Sequence, residues 1–459
     1  MKLNKQLIDK FNIPVPRYTS YPPANHFADD FSVREAIKLI EQSNQTGDKH
    51  IAIYIHIPFC SKICFYCGCN ACSIKNEESI QKYFQSLHKE LHKVFALLDK
   101  NRKVSQIHYG GGTPNSVDVK YIEELNNLIF KEFTLIENPE IAIECNPAYL
   151  NFDYADRLIQ SGFNRFSLGI QDFNEQILKS VNRSPSAIPV GELVAYLKNK
   201  NPQIKVNLDF IYGLPGQNPE NFSDTIQRAI AIKPDRLVTF SYAHVPWMKK
   251  HQQILEKKGL PDSDLKMEMF LTARELLLSS GYVPIGLDHY VLPDDELNIA
   301  LSHNKLHRNF QGYCTKRTTG QVYAFGVSAI SQLENAYIQN VKDVKTYIEK
   351  LNNNNLAVEK GIAISKNQMI IRDVITKLMC NQFLNISEIC SDYQINLKDF
   401  EQITQFKQEK LQEFINDGLL QFENQEIKVS ETGSLFIRNI AATMDPEYTQ
   451  QNNKYSKTV

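Results

Sequence analysis

Five of the chain's nine cysteines, Cys60, Cys64, Cys67, Cys69 and Cys72, fall within thirteen residues. An odd total crowded in this way argues for a reduced thiolate site rather than for paired disulfides of an exported protein. The first three are spaced C-x3-C-x2-C, close enough to wrap one metal centre on a loop that bends back on itself. Soft sulfur ligands favour iron-sulfur, zinc or Cu(I) over Mg or Ca. Zinc is the competitor, since Cys69 or Cys72 completes a closed four-thiolate site. Against zinc, structural sites usually take two separated pairs of ligands, whereas this is one compact triplet. Three thiolates on a [4Fe–4S] cube leave one iron open to the amino and carboxylate groups of S-adenosylmethionine (SAM). An electron passed to its sulfonium then releases a 5′-deoxyadenosyl radical, chemistry that the cofactor carries and the protein orients and shields from water. The isolated Cys380 and Cys390 read as small buried hydrophobes.

The triplet follows a strand expected over 51–57, in which Ile51, Ile53, Ile55 and Ile57 alternate with Ala52, Tyr54 and His56. After it comes an amphipathic helix on which Ile80, Tyr83, Phe84, Leu87, Leu91, Val94, Phe95 and Leu98 recur at spacings of three and four. Strand patterns return over 104–109, 141–145, 165–170, 206–211 and 237–242, and more weakly over 283–287. Helical patterns at 121–132, 155–161, 176–181, 221–231 and 265–280 separate most of them. Repeated strand and helix predict parallel strands joined by crossovers, in a curved barrel or a doubly wound sheet. Either architecture gathers ligands beyond the C-terminal strand ends. Cys60, the Gly110–Pro114 run GGGTP, Glu144, Gln171, Asp209 and Ala243 all lie at or just after such ends. Glu144 and Asp209 also interrupt apolar strands, where an unpaired charge is costly.

The region up to about Asn25, rich in Pro and Tyr, is expected to wrap a surface rather than form a long helix, and 32–42 to make a short helix with Ser32 as N-cap and Glu35 three residues later. From about Asp288 to Asn340 the pattern turns irregular and polar, and the remainder shows helices followed by a hairpin, an order like that of winged helices. The tail from Gln450 is expected to be mobile. With 51 Lys+Arg against 52 Asp+Glu, nothing points to nucleic acid or an anionic membrane as main partner. No apolar run reaches the roughly 20 residues of a membrane span. The opening segment lacks an apolar leader core, and a cytoplasmic location is expected.

The chain resembles the oxygen-independent coproporphyrinogen III oxidases, or dehydrogenases, a radical SAM family of haem biosynthesis. The motifs are PRYTSYP (16–22), YIHIPFCSKICFYCGCN (54–70), HYGGGTP (108–114), GFNRFSLGIQDFN (162–174), NLDFIYGLPGQ (207–217), FSYAHVP (240–246), LHRNFQGY (306–313) and FGVSAIS (325–331). The resemblance implies an α/β fold, a partial (β/α)6 TIM-like radical SAM barrel over 49–290. It further implies an N-terminal extension (1–48) closing the cavity, a cavity-completing irregular region (291–345) and a mainly helical C-terminal domain (346–459). It makes Cys60, Cys64 and Cys67 the ligands of one [4Fe–4S] cluster. Cys69 matches a family cysteine tied to activity without being a ligand, and is counted with Tyr54 as catalytic. Tyr54, Gly111, Thr113 and Glu144 match contacts of a first SAM, with Tyr66, rather than Phe65, beside the adenine. Gly112, Gln171, Arg183, Asp209, Ala243 and Ile330 match the rest of a site for two SAM molecules. The implied substrate is coproporphyrinogen III, with a reduced flavodoxin- or ferredoxin-like electron donor, an unidentified electron acceptor and a monomeric enzyme. Arg17, Arg165 and Arg308 are candidates for its propionates. Related haem chaperones are the alternative, but they typically lack the PRYTSYP-like element and carry C-x-Y-C-D-F, where this chain reads C-F-Y-C-G-C-N. Two details depart from the pattern: the proline-bearing SPSAIPVG after Arg183 and the large Trp247 beside FSYAHVP.

Overall fold

The computed structural model describes residues 5–315 and 320–448, so the expectation for the tail from Gln450 lies outside them. Six strands run parallel and in chain order: β1 (Ile51–Ile57), β2 (Val104–Gly111), β3 (Leu135–Cys145), β4 (Arg165–Gln171), β5 (Lys205–Tyr212) and β6 (Arg236–Ser241). Parallel neighbours need a crossover long enough for a helix, and each connection here contains one, at Glu77–Phe95, Val119–Glu132, Phe152–Gln160, Val190–Lys200 and Pro219–Ile232. Four of these begin on Asn or Asp side chains that accept a first-turn N–H: Asn76, Asp118, Asn151 and Asn218. Helix Glu77–Phe95 buries the predicted stripe, from Ile80 and Tyr83 to Val94 and Phe95, against the sheet.

Helix Val190–Lys200 has no counterpart in the sequence reading. Its entry through SPSAIPVG hides it, yet Pro189 stands just before the first turn, where a missing N–H does no harm. The weak strand signal near 283–287 is met by a strand over 283–285, and only its place among the parallel strands is corrected. It resolves into β7 (Val283–Ile285) and β8 (His289–Val291), an antiparallel pair whose β8 runs antiparallel to β6.

The stretch expected to be irregular is also corrected, because it is built of short strands: β9 (Leu306–Asn309), β10 (Gly312–Thr315), β11 (Gln321–Phe325), β12 (Ile330–Leu333) and β13 (Ala336–Asn340). At four or five residues each, they are too short for an alternation to stand out. Strand β11 pairs parallel with β1, and β12, β13 and β14 (Val358–Ala363) continue antiparallel. The sheet therefore runs from β14 through β1 to β6 and ends on β7, a barrel left open between two antiparallel edges.

The C-terminal unit has its own core beside helix Lys366–Asn381, with a hairpin, Leu420–Glu423 and Glu426–Val429, that also takes in Phe383–Asn385. Phe11, Val15, Tyr18 and Tyr21 from the N-terminal segment are buried in that same core. Among the described residues no helix is long and apolar enough to cross a membrane.

Candidate active site

The end of β1 delivers the chain into the cysteine loop, and the loop is tied down mostly through its backbone. Cys72 N–H donates to Pro58 O at 2.8 Å and Ile74 N–H to Cys60 O at 3.0 Å. The GGGTP turn locks onto the same segment, with Gly112 N–H on Ile57 O at 2.8 Å and Thr113 N–H on Phe59 O at 2.9 Å. Gly111 has φ +122°, and a Cβ on Gly112 would lie 2.6 Å from Pro58 O. Only glycine allows that approach. Farther along, Asn182 Nδ2 donates to Ile63 O at 2.9 Å, Gln252 Nε2 to Tyr66 O at 2.9 Å and Lys249 Nζ to Cys69 O at 2.7 Å. His251 Nε2 meets Cys67 O at 2.9 Å and His56 Nε2 meets Asn70 O at 2.9 Å.

A cavity of about 610 Å³ opens beyond the strand ends. It is lined by Cys60, Cys64, Cys67, Cys69, Tyr66, Gly111, Gly112, Thr113, Glu144, Gln171, Arg183, Asp209 and Ala243, thirteen of the fifteen residues singled out in the sequence. Tyr54 and Ile330 are not in that wall. Tyr54 lies outside it, its ring 5.9 Å from that of the lining residue His108 and its hydroxyl 3.1 Å from His56 Nδ1. Ile330 packs with Phe27, Tyr337 and Ile364 on the antiparallel side of the sheet. All nine cysteines are free thiols. Cys60 Sγ is 3.3 Å from Thr113 Oγ1 and Cys64 Sγ 3.7 Å from Arg183 Nη1. Burial pushes the Cys60 thiol up to about 11. The contact with Cys69 pulls the Cys67 thiol below its ordinary range and pushes that of Cys69 above it. Among the described residues no three His, Cys, Asp or Glu side chains sit at the spacing of a single metal ion.

Across the cavity, Gln171 ends β4 with φ +70°, a left-handed backbone that costs about 1 to 3 kcal/mol in a non-glycine residue. Its Oε1 is buried without a hydrogen-bond partner. Asp209 is half-buried and accepts from Ser167 Oγ and Asn207 Nδ2, both at 2.7 Å, while desolvation holds its carboxyl above the ordinary value. Glu144 meets His108 Nε2 at 3.1 Å. Arg183 donates to Gly169 O, which fixes its guanidinium beside Cys64. These donors and acceptors suit a zwitterionic, ribose-bearing ligand next to an iron-sulfur cluster.

Of the three arginines proposed for carboxylates, Arg17 lines the cavity. Arg165 also lines it, but its Nε is held by Glu140 at 2.7 Å and its Nη2 by Glu296 at 2.6 Å. Burial alone would raise Glu140, yet Arg165 and Arg236 hold it below the ordinary carboxylate range, so Arg165 belongs to a charge network at the barrel floor. Arg308 is absent from the wall among the described residues and stacks on Tyr313 at 4.9 Å. The residues that sequence reasoning missed, His108, Asn182, Lys249, His251 and Gln252, act through backbone carbonyls or one carboxylate. Only His108 carries a local signal, as the first residue of HYGGGTP.

The Radical SAM superfamily profile matches residues 54–229. An oxygen-independent coproporphyrinogen III oxidase of Synechocystis sp. is 38% identical over 455 residues, covering 99% of this chain and 97% of its own. The protein of the same description from Escherichia coli (strain K12) is 36% identical over 451 residues, covering 97% and 95%. Among solved structures, the radical SAM coproporphyrinogen III oxidase of Escherichia coli superposes with a TM-score of 0.89 at 34% identity, over 98% of this chain and 100% of that one.

Proposed function

This chain belongs to the oxygen-independent coproporphyrinogen III oxidase family of radical SAM enzymes, and from that premise we propose that its cavity converts coproporphyrinogen III to protoporphyrinogen IX by decarboxylating two propionates without dioxygen. The observation that carries this reading is the meeting, around one cavity of about 610 Å³, of three free thiols with Glu144, Gln171, Arg183 and Asp209. When bound, the cluster and SAM supply the electron and the carbon radical that removes hydrogen from a propionate Cβ.

The chain's own residues bind, orient and exclude water. Cys60, Cys64 and Cys67 hold the cluster, and Cys69, bonded to Cys67, tunes that thiolate without being a ligand. Tyr54, Tyr66, Gly111, Thr113 and Glu144 hold a first SAM. Gly112, Gln171, Arg183, Asp209, Ala243 and Ile330 serve a second, with Ile330 acting from behind the cavity wall. Arg17, which lines the cavity, takes a substrate propionate in a charge-assisted pair. The 1–48 segment covers the cavity of the 49–290 barrel, which 291–345 completes, and the 346–459 unit anchors that cover. A reduced flavodoxin- or ferredoxin-like carrier supplies the electron, a second acceptor removes one from the substrate, and a single cytoplasmic chain suffices.

The test is anaerobic reconstitution with iron and sulfide, followed by incubation with SAM, reductant and coproporphyrinogen III. Protoporphyrinogen IX formed together with 5′-deoxyadenosine is the expected result. Stable haem binding with no decarboxylation would move the chain to the haem-chaperone reading.

A further inference from the structure

Residues 247–258 form a lobe seated against the cysteine loop. Its inner side supplies Lys249, His251 and Gln252, which hold the carbonyls of Cys69, Cys67 and Tyr66 at 2.7, 2.9 and 2.9 Å. Its outer side is apolar and basic. Trp247 and Met248, at 75% and 73% exposed, are the most exposed large hydrophobic residues among those described. Lys250, Lys257 and Lys258 are exposed on the same short segment, and its one acid, Glu256, is bonded to His244 at 2.8 Å. In a chain of formal net charge −1 this is a local excess of positive charge.

We infer that this lobe is the docking surface for an acidic, low-potential electron-carrier protein, with Trp247 and Met248 as the apolar anchor and Lys250 and Lys257 as the charged rim. An exposed aromatic and methionine edged by lysines suits a protein surface of opposite charge. Two exposed apolar residues within a twelve-residue segment fit the redox encounters that bury less than about 1,200 Å². Position selects the electron carrier over other acidic partners. The inner side of the lobe is hydrogen-bonded to the carbonyls of Cys67 and Cys69, so a protein docked here stands close to the thiolates, and electron transfer falls off steeply with distance. The step is a one-electron transfer in which the carrier is oxidised and the cluster reduced by one electron, with no bond made or broken. The inference rests on the reading that Cys60, Cys64 and Cys67 hold a reducible cluster.

Trp247 is the chain's sole tryptophan, so its fluorescence reports directly on the patch. Titrating the reconstituted protein with an oxidised, acidic, tryptophan-free ferredoxin is expected to change Trp247 emission saturably. The affinity should weaken about tenfold or more when salt rises from about 50 to about 500 mM. The double variant Lys250→Glu, Lys257→Glu is expected to weaken binding by about tenfold or more and to slow ferredoxin-driven 5′-deoxyadenosine formation. Formation driven by dithionite should be unchanged. The inference is overturned if emission does not respond to ferredoxin, or if it responds only to anionic phospholipid vesicles or to dilution of the protein itself. Equal ferredoxin-driven rates in the variant and the parent would overturn it too. Failure of dithionite to yield 5′-deoxyadenosine in the parent would count against the cluster reading, while the fluorescence titration would still decide the docking surface.

Discussion

The cysteine loop and the PRYTSYP strap both reach the cavity, yet they are held in opposite ways. The loop is fixed by backbone groups: strand-end hydrogen bonds, the GGGTP turn, and side chains that bond its carbonyls. The strap is fixed by the far end of the chain. Tyr18 and Tyr21 donate to the Asp445 carboxylate at 2.9 and 3.2 Å, Arg438 Nε donates to Pro16 O at 3.1 Å, and Tyr448 donates to Pro14 O at 3.0 Å. The site residues thus sit on the barrel, and the proposed closure by the strap would depend on its clasp with residues 438–448. A site that must hold a reactive centre in one geometry gains from rigid support, whereas a cover that must admit a tetrapyrrole gains from a separable one.

The largest effect should come from the loop. Replacing Cys60, Cys64 or Cys67 with Ala is expected to abolish bound iron and 5′-deoxyadenosine formation while circular dichroism stays native, whereas Cys69→Ala keeps the iron and loses turnover. Gly112→Ala forces the turn away from Pro58 O. A displacement of about 1 Å is enough for roughly a hundredfold loss of turnover, to be measured with iron content as the control. Changes to the strap should spare SAM cleavage. Arg17→Ala is expected to raise KM for coproporphyrinogen III by about tenfold, equivalent to about 1.4 kcal/mol, with uncoupled 5′-deoxyadenosine formation unchanged. If SAM cleavage fell in step, the division between loop and strap would be wrong.

Asp445→Ala strands two buried tyrosine hydroxyls, at about 1 to 3 kcal/mol each, and should expose residues 16–22 to limited proteolysis without loss of iron. The smallest effect is one of pH. Burial holds the Asp445 carboxyl above its ordinary value, so the folded state binds that proton more tightly than the unfolded chain. Its contribution is complete below the unfolded value of about 3.9 and is lost as pH rises through the folded one. Protection of the strap should therefore decline with rising pH in the parent and stay level in Asp445→Asn.

The same division explains what could be read from the sequence. The parallel strands announce themselves by buried Ile, Val and Phe runs, and the loop by three thiols at fixed spacing after one such run, so thirteen of the fifteen residues singled out do meet at one cavity. The strap's anchors could not be read. Asp445 and Tyr18 are 427 residues apart, and nothing local marks Asp445 as the partner of two tyrosines. The short strands β9 to β13 were hidden for a related reason, since four or five residues of mixed polarity carry too little periodicity. The loop's supports, Asn182, His251 and Gln252, bond to carbonyls that every residue possesses, so their sequence bears no imprint of the contact.

The most direct test of the account is the electron paramagnetic resonance spectrum of anaerobically reconstituted, reduced protein before and after addition of SAM. One [4Fe–4S] signal per chain that changes on SAM addition, and that is missing in Cys64→Ala, is the predicted result. A stoichiometric zinc ion with no such signal, or a cluster signal indifferent to SAM, would contradict it.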